Sequence, residues 1–272
     1  MTPIVPVYSL AKTYTAIAVC LTFGPQDRIG QHVRDLPSGL GDLRVRDILT
    51  HRSGLNDYGG WDDYRASVGA RADPWPVEDI LARAHVGEPG HFQYSNIGYL
   101  LLRLALENAH NDSYFGVLNA LVLSPLGVNA FPFATREDWA ACTHTSITDD
   151  LWSYHPEWVY TGTFSARVDD AARGIALIMR GHLGSAHAAA MRETLPVDAP
   201  GHPFDPAGYG LGLMTHGMPP TVVGHGGGGP GFSLFAACSA DGERWHGAVS
   251  DREDAGIGII QECVDAVSDS ST

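Results

Sequence analysis

Ser9 and Lys12 stand three residues apart in the run Tyr8-Ser9-Leu10-Ala11-Lys12-Thr13, and Lys12 is the one lysine in 272 residues, set against sixteen arginines. Lysine, unlike arginine, can give up its proton near neutral pH when its surroundings favour the free amine. On a helix the spacing i, i+3 puts both side chains on one face, and a hydroxyl beside a neutralisable amine is a nucleophile and base pair. The chemistry implied is attack of the Ser9 hydroxyl on a carbonyl carbon, followed by transfer of the acyl group. The plainer alternative is an amphipathic helix with Ser9 as its N-cap and Lys12 on a solvated face, and short motifs do arise by accident.

Three further segments carry residue types able to assist: Leu49-Thr50-His51-Arg52-Ser53-Gly54-Leu55, Tyr94-Ser95-Asn96 and His225-Gly226-Gly227-Gly228. Taken alone, Tyr94 and Asn96 read more readily as loop residues that pack against and cap the next helix. His182 and His187 show no ligand grouping and read as surface or satisfied core residues. The run Gly224-x-Gly226-x-x-Gly229 matches a dinucleotide fingerprint in form, but Pro230 and the strand-like Gly231-Phe232-Ser233-Leu234-Phe235 follow where that fold needs a helix N-terminus. A nucleotide site is therefore rejected, and no lysine follows the glycines to make a P-loop.

The elements that must hold these residues can be read from periodicity. A helix is expected from Ser9 to about residue 21, a second around Val45, Ile48 and Leu49 ending at Gly54, and a third marked by Val77, Ile80, Leu81 and Ala84. Ile97 to about Ala109 predicts a strong helix with Ser95 near its start as a cap, and a shorter helix runs from Tyr114 to Leu123. Phe131 to Tyr160 has no clear period and reads as irregular chain able to wall a pocket. Ala166 to Leu183 is again helical. Gly210 to His216, Thr221 to His225, Phe232 to Ser239 and Trp245 to Ser250 read as short strands joined by tight turns, which makes them antiparallel. A closing helix with Ile257, Ile260, Val264 and Val267 on one stripe covers the sheet, and Ser268 to Thr272 reads as a frayed tail. The fold class is α/β of the α+β type: a helical lobe beside a small antiparallel sheet flanked by the first and last helices. One domain over 1–272 is expected, with 1–24 plus 161–272 as the sheet lobe and 25–160 as the helical lobe.

Bulk properties narrow the partners. With 44% hydrophobic residues the chain can bury a sizeable core. A formal charge of -14 and a pI near 5.2 argue against nucleic acid and anionic membranes, leaving small neutral or cationic molecules. Cys20, Cys142, Cys238 and Cys263 are widely spread and read as free, mostly buried thiols, with no redox motif, metal site or other cofactor indicated. The N-terminus lacks a basic region and Lys12 interrupts the apolar stretch from Ile4 to Leu21, so a cytoplasmic location and no membrane anchor are expected.

In this order and at these separations, Ser9-x-x-Lys12, the His51 segment, Tyr94-Ser95-Asn96 and His225-Gly226-Gly227-Gly228 resemble the serine β-lactamase and penicillin-binding-protein superfamily, in the branch of class C β-lactamases, DD-peptidases and related esterases. Tyr209-Gly210-Leu211-Gly212-Leu213 and the helix after Gly162 add to the resemblance, which covers most of residues 7 to 236. It implies Ser9 as nucleophile, Lys12 as the group that eases its deprotonation and Tyr94 as the relay of protons to the leaving group and from the acceptor. A phenol titrates near roughly pH 10, so Tyr94 serves as a base only beside a cation such as Lys12; the two must be neighbours. Asn96 would bond Lys12 or a substrate amide, the backbone N–H groups of Ser9 and Gly228 would form the oxyanion hole, and the glycines around Gly227 would let substrate lie close to the strand edge.

Two departures qualify the resemblance. The usual Lys-Thr-Gly is His225-Gly226-Gly227 here, which replaces a permanent ammonium by an imidazole mostly neutral at pH 7 and weakens carboxylate recognition. Only eight residues precede Ser9, so the sheet should lack two N-terminal strands; a homodimer or a rearranged terminus is expected to cover the exposed edge, unless the chain is a shortened form. The function expected is a serine acyl-enzyme hydrolase or acyltransferase on a small ester or amide: an esterase, amidase or transacylase, with an amine or alcohol as a further acceptor. A β-lactamase or DD-peptidase is the alternative, and a non-catalytic ligand-binding homologue the alternative of another class. Trp61, Trp75, Trp152 and Trp158 are the expected source of an aromatic pocket.

Overall fold

The computed structural model describes residues 2–268. The chain opens with strand β1 (Ile4–Pro6) and a single 3-10 turn, Tyr8–Leu10, that runs into helix α1 (Ala11–Thr22). Every residue from Ala11 to Val19 is buried, so α1 runs through the molecule and is not the half-solvated helix of the plainer reading. Ser9 lies in the turn, two residues before the helix begins, and no side chain caps either element.

Helices α2 (Val45–Leu49), α3 (Asp62–Gly69), α4 (Val77–Ala82), α5 (Asn96–His110) and α6 (Tyr114–Leu118) follow. Four of the five stand where their apolar spacing predicts them. The exception is α3, which buries no residue fully and so leaves no periodic signal. Ser95 caps α5, its Oγ accepting from the Gly98 amide at 3.2 Å. Strand β2 (Ala130–Pro132) and helix α7 (Asp149–Ser153) lie in the stretch read as irregular.

Strand β3 (Phe164–Arg167) passes directly into α8 (Val168–Met179). It is the middle strand of a three-stranded antiparallel sheet, with Val5 of β1 and Ala130 of β2 both opposite Ala166. After α9 (Ser185–Arg192) come β4 (Leu195–Pro196), β5 (Ala207–Tyr209), β6 (Met214–His216), β7 (Val222–Gly229), β8 (Phe232–Ser239) and β9 (Trp245–Ser250), and then α10 (Gly256–Ser268). These six strands form one antiparallel sheet in chain order. The strand expected over Gly210 to His216 is split, because Gly212 turns at φ +66 and the Gly210 amide bonds the Leu213 carbonyl. The tail beyond Ser268 lies outside the described residues.

Strand β8 is buried along its whole length and packs on two sides. Phe235 and Ala237 join Ile259, Cys263, Val264 and Val267 of α10, while Leu234, Ala236 and Cys238 point into the main core with α1 and α8. The sheet is therefore covered by α10 on one face and by α8, more than by α1, on the other. Among the described residues no N-terminal strand enters this sheet: the residues before Ser9 supply β1 to the smaller sheet, and the outer edge of β9 pairs with no strand. None of the described helices is long and apolar enough to cross a membrane. The four cysteines are free, with Cys238 and Cys263 buried.

Candidate active site

The 3-10 turn sets Ser9 where three parts of the chain meet. Tyr8 adopts φ +47, a left-handed conformation unusual for a bulky residue, and its hydroxyl donates to the Pro230 carbonyl at 2.6 Å. That bond ties the turn before Ser9 to the bend between β7 and β8. The glycine run of β7 is what permits such closeness. A Cβ on Gly227 would stand 2.2 Å from the Val7 carbonyl oxygen, and one on Gly229 would stand 2.5 Å from the Tyr8 ring. A Cβ on Gly228 would meet nothing within 4 Å, because that position faces the cavity beside Ser9. Strand β6 pairs with β7 only from Val222 to Gly224, so the glycine half of that edge is left to face Ser9.

Lys12, on the first turn of α1, is 1% exposed. Its ammonium donates to Ser9 Oγ at 3.0 Å and to Asn96 Oδ1 at 2.8 Å. Asn96 is held in turn by Asp57, which accepts the Asn96 main-chain N–H at 2.8 Å and Nδ2–H at 3.3 Å. As Asn96 opens α5, the carboxylate satisfies one of the amides a helix start leaves unpaired. The Tyr94 ring centroid lies 5.2 Å from Lys12 Nζ, so the expected neighbours do meet, through the face of the ring. The Tyr94 hydroxyl forms no hydrogen bond among the described residues.

His225 follows a different course from a surface cation. It is buried, its Nδ1–H donates to the Gly226 carbonyl at 2.7 Å, and its Nε2 accepts from the Tyr209 hydroxyl at 3.0 Å. Burial first, and the Lys12 charge second, push its pKa down to about 3, against a smaller opposing pull from the Gly226 carbonyl. It is a neutral hydrogen-bonding group at pH 7. His51 is likewise buried and held neutral by burial, Lys12 and His225. It accepts the Ser95 amide on Nδ1 at 3.1 Å and stacks 4.3 Å from Tyr94, so it shapes the Tyr94-Ser95-Asn96 segment.

A cavity of about 220 Å³ opens beside Ser9, walled by Tyr58, Tyr64, Tyr154 and Trp158 together with Asn96 and Gly228. The rings brace one another: Tyr64 meets Trp158 edge to face at 5.3 Å, and the Trp158 indole donates to the Ala72 carbonyl at 2.8 Å. Of the four tryptophans expected to form a pocket, Trp158 alone lines this one. Trp75 packs behind it, Trp61 lies under the Arg83 guanidinium at 3.6 Å, and Trp152 is 42% exposed. Asp57 and the three tyrosines were not singled out by sequence reasoning. Asp57 sits on an aperiodic loop that gives no local signal, and the tyrosines are spread over two segments joined only by the fold.

Chemically, the arrangement can present Ser9 Oγ to a carbonyl with a buried amine at hydrogen-bond distance and an aromatic-walled space for the acyl side chain. A family model described as Beta-lactamase matches residues 4–244. Penicillin-binding protein 4* of Bacillus subtilis strain 168 is 29% identical over 137 residues, 44% of this chain, and the match spans only 28% of that protein's length. Among solved structures, the D-stereospecific amidohydrolase from Streptomyces sp. superposes with TM-score 0.76 at 21% identity, over 93% of this chain and 83% of the other. The D-amino acid amidase from Ochrobactrum anthropi SV3, in complex with D-phenylalanine, gives TM-score 0.73 at 19% identity, over 95% and 89%. These two likenesses are of fold: a helical part beside an antiparallel sheet, as in the transpeptidase-like proteins.

The cytoplasmic location expected from the sequence is corrected by these comparisons. Relatives of these kinds, penicillin-binding proteins and D-amino acid amidases, are typically periplasmic or extracellular. The expectation leaned on the short stretch before Ser9, and where the chain begins carries no information about a leader.

Proposed function

The chain belongs to the beta-lactamase family, and from that premise we propose that it is a serine-dependent amidase or esterase that passes an acyl group from a small amide or ester through Ser9. One observation carries the reading: a buried lysine ammonium 3.0 Å from Ser9 Oγ, kept in place by Asn96. Burying an ammonium costs several kcal/mol unless its partners compensate, and a protein that merely holds a ligand has no use for one beside a serine. That argues against the non-catalytic alternative.

In this proposal Ser9 is the nucleophile, and its Oγ proton goes either to Lys12 acting as the free amine or to Tyr94 acting as a phenolate beside the Lys12 ammonium. The main-chain N–H groups of Ser9 and Gly228 receive the developing oxyanion, a contribution of about 3 to 4 kcal/mol per donor in serine hydrolases. Asn96 holds both Lys12 and the substrate amide, and Tyr94 hands the proton to the leaving atom. Catalytic hydrogen bonds often tighten only when substrate is present, and the unbonded Tyr94 hydroxyl is consistent with that. Gly227 lets β7 close on the Ser9 turn, and His225, with both ring nitrogens engaged, acts on the site by holding Tyr209 and the Gly226 carbonyl in place.

The narrower placement as a class C β-lactamase, or as a DD-peptidase that grips a terminal carboxylate, asks for a cation where this chain has a neutral His225. Amides and esters without a free carboxylate fit better, and the names of the two structural relatives make D-amino acid derivatives the first to try. D-phenylalanine amide should release ammonia with the wild-type protein and not with Ser9→Ala; equal release from both, or from neither while a cephalosporin is opened, contradicts the proposal. We keep a homodimer as a proposal for the unpaired β9 edge, to be checked by light scattering against the 29.1 kDa chain mass; a strictly monomeric mass rejects it.

A further inference from the structure

A second cavity, of about 250 Å³, is walled by Phe92, Tyr94, Phe204, Tyr209 and Met214, with Val197 and Ala199 contributed by the loop between β4 and β5. Ser9, Asn96 and Gly228 line the first cavity, whereas Tyr94 lines this one. The Tyr209 hydroxyl donates to His225 Nε2 at 3.0 Å, and His202 Nδ1 accepts the Phe204 amide at 2.9 Å. The Tyr94 hydroxyl and His202 Nε2 have no bond among the described residues. The remaining surface is aromatic and aliphatic. An apolar cavity of about 150 Å³ takes up benzene, so this one has room for an arylalkyl group.

We infer that this second cavity holds an apolar leaving group during acylation and an apolar amine or alcohol acceptor during transfer. The inference rests on the acyl-transfer reading above. In acylation the bond from Ser9 Oγ to the carbonyl carbon forms, the bond from that carbon to the leaving nitrogen or oxygen breaks, and the proton that began on Oγ ends on the leaving atom. Whatever delivers that proton must stand beside the leaving atom, and the inference gives this role to Tyr94, whose ring lies 5.2 Å from Lys12 Nζ. The substituent on the leaving atom then extends into the space that Tyr94 walls. An acceptor retraces the path: its nitrogen or oxygen bonds the acyl carbon, the Oγ bond breaks, and the acceptor's proton returns to Ser9. The walls carry no lysine or arginine, and burial lowers the pKa of the His202 imidazole, so they favour a neutral aryl or alkyl partner over a carboxylate-bearing one.

Methyl and 2-phenylethyl esters of one acyl group test this directly. Ala199→Phe and Val197→Phe, each placing a ring into the cavity from the loop, should lower the ratio of kcat/KM for the phenylethyl over the methyl ester at least tenfold. An unchanged ratio in both variants overturns the inference. A second readout needs no turnover: calorimetry of 2-phenylethanol with Ser9→Ala should show saturable binding that Ala199→Phe weakens at least tenfold. No binding to folded Ser9→Ala overturns the inference. Binding of the alcohol by a protein that cleaves neither ester supports the cavity and refutes the acyl-transfer reading, so the two can fail separately.

Discussion

Asp57 accepts two of the three N–H bonds that Asn96 offers, one from the main-chain amide at 2.8 Å and one from Nδ2 at 3.3 Å. A carboxylate can only accept, so this pairing fixes which end of the Asn96 amide faces it and turns Oδ1 toward Lys12 Nζ, 2.8 Å away. Asp57 thus positions the amine beside Ser9 without touching it.

Removing that carboxylate should release the Asn96 amide to rotate. Hydrogen bonds to a charged group are worth about 1.5 to 3 kcal/mol, so Asp57→Ala should lower kcat/KM by about tenfold to a hundredfold with most of the loss in kcat. Asp57→Glu should recover part of it if the longer arm still reaches Asn96. A variant with wild-type kcat/KM, measured on D-phenylalanine amide, would show that Asn96 needs no second support.

Lys12→Met should separate activity from stability. The thioether fills a similar space without a charge, and replacing a buried charge by a well-packed apolar group is often neutral or stabilising. Turnover should fall by about two to four orders of magnitude, as when an acid–base group is lost, while the melting temperature holds or rises. A large fall in melting temperature would mean that the ammonium is there to hold the fold.

The Lys12 charge also depresses the neighbouring imidazoles, so in Lys12→Met the His225 pKa should climb from about 3. A titration of the ring resonances by NMR would read this, and an unmoved value would assign the depression to burial alone.

Stability should fall with acid through His225. Its folded pKa of about 3 lies below the unfolded value of about 6.5, so the stabilising contribution is complete above pH 6.5 and is lost as pH falls toward 3. Each pH unit in that window costs about 1.4 kcal/mol, and the loss between pH 7.5 and 5 is about 2 kcal/mol. His51 acts in the same direction and is common to both proteins compared. Urea unfolding should show the wild type losing about 2 kcal/mol more than His225→Gln over that range; parallel losses would count against a buried neutral His225.

Two adjacent glycines should respond in opposite ways to the same change. Gly227→Ala sets a methyl against the Val7 carbonyl oxygen, backbone against backbone, and should cost about 1 to 3 kcal/mol of stability. Gly228→Ala meets open space and should melt like the wild type, yet raise KM because its methyl enters the cavity beside Ser9. Equal melting temperatures for the two variants would contradict the close approach of β7 to the Ser9 turn.

The parts of the site legible in the sequence are those whose chemistry is rare. A single lysine near a serine, and a tyrosine and asparagine two residues apart, point to one another before any fold is drawn. The helices that carry them announce themselves by apolar spacing, as in α5. The rest depends on long-range closure. The glycine run reads as a loop by propensity, yet it is half of a strand because Val7 and Tyr8 leave no room for side chains. Strand β3 hides in the approach to α8 because three buried residues in a row, followed by half-buried Arg167, carry no period. Asp57 is one of many acids in an acidic chain, and only the folded contact with Asn96 sets it apart.

The most direct test is whether Ser9 is an activated nucleophile. Purified protein exposed to a fluorophosphonate should gain one covalent adduct by intact mass, located on Ser9, with Ser9→Ala gaining none and Lys12→Met labelling far more slowly. A folded wild-type protein that stays unlabelled, or an adduct that persists in Ser9→Ala, would contradict the account.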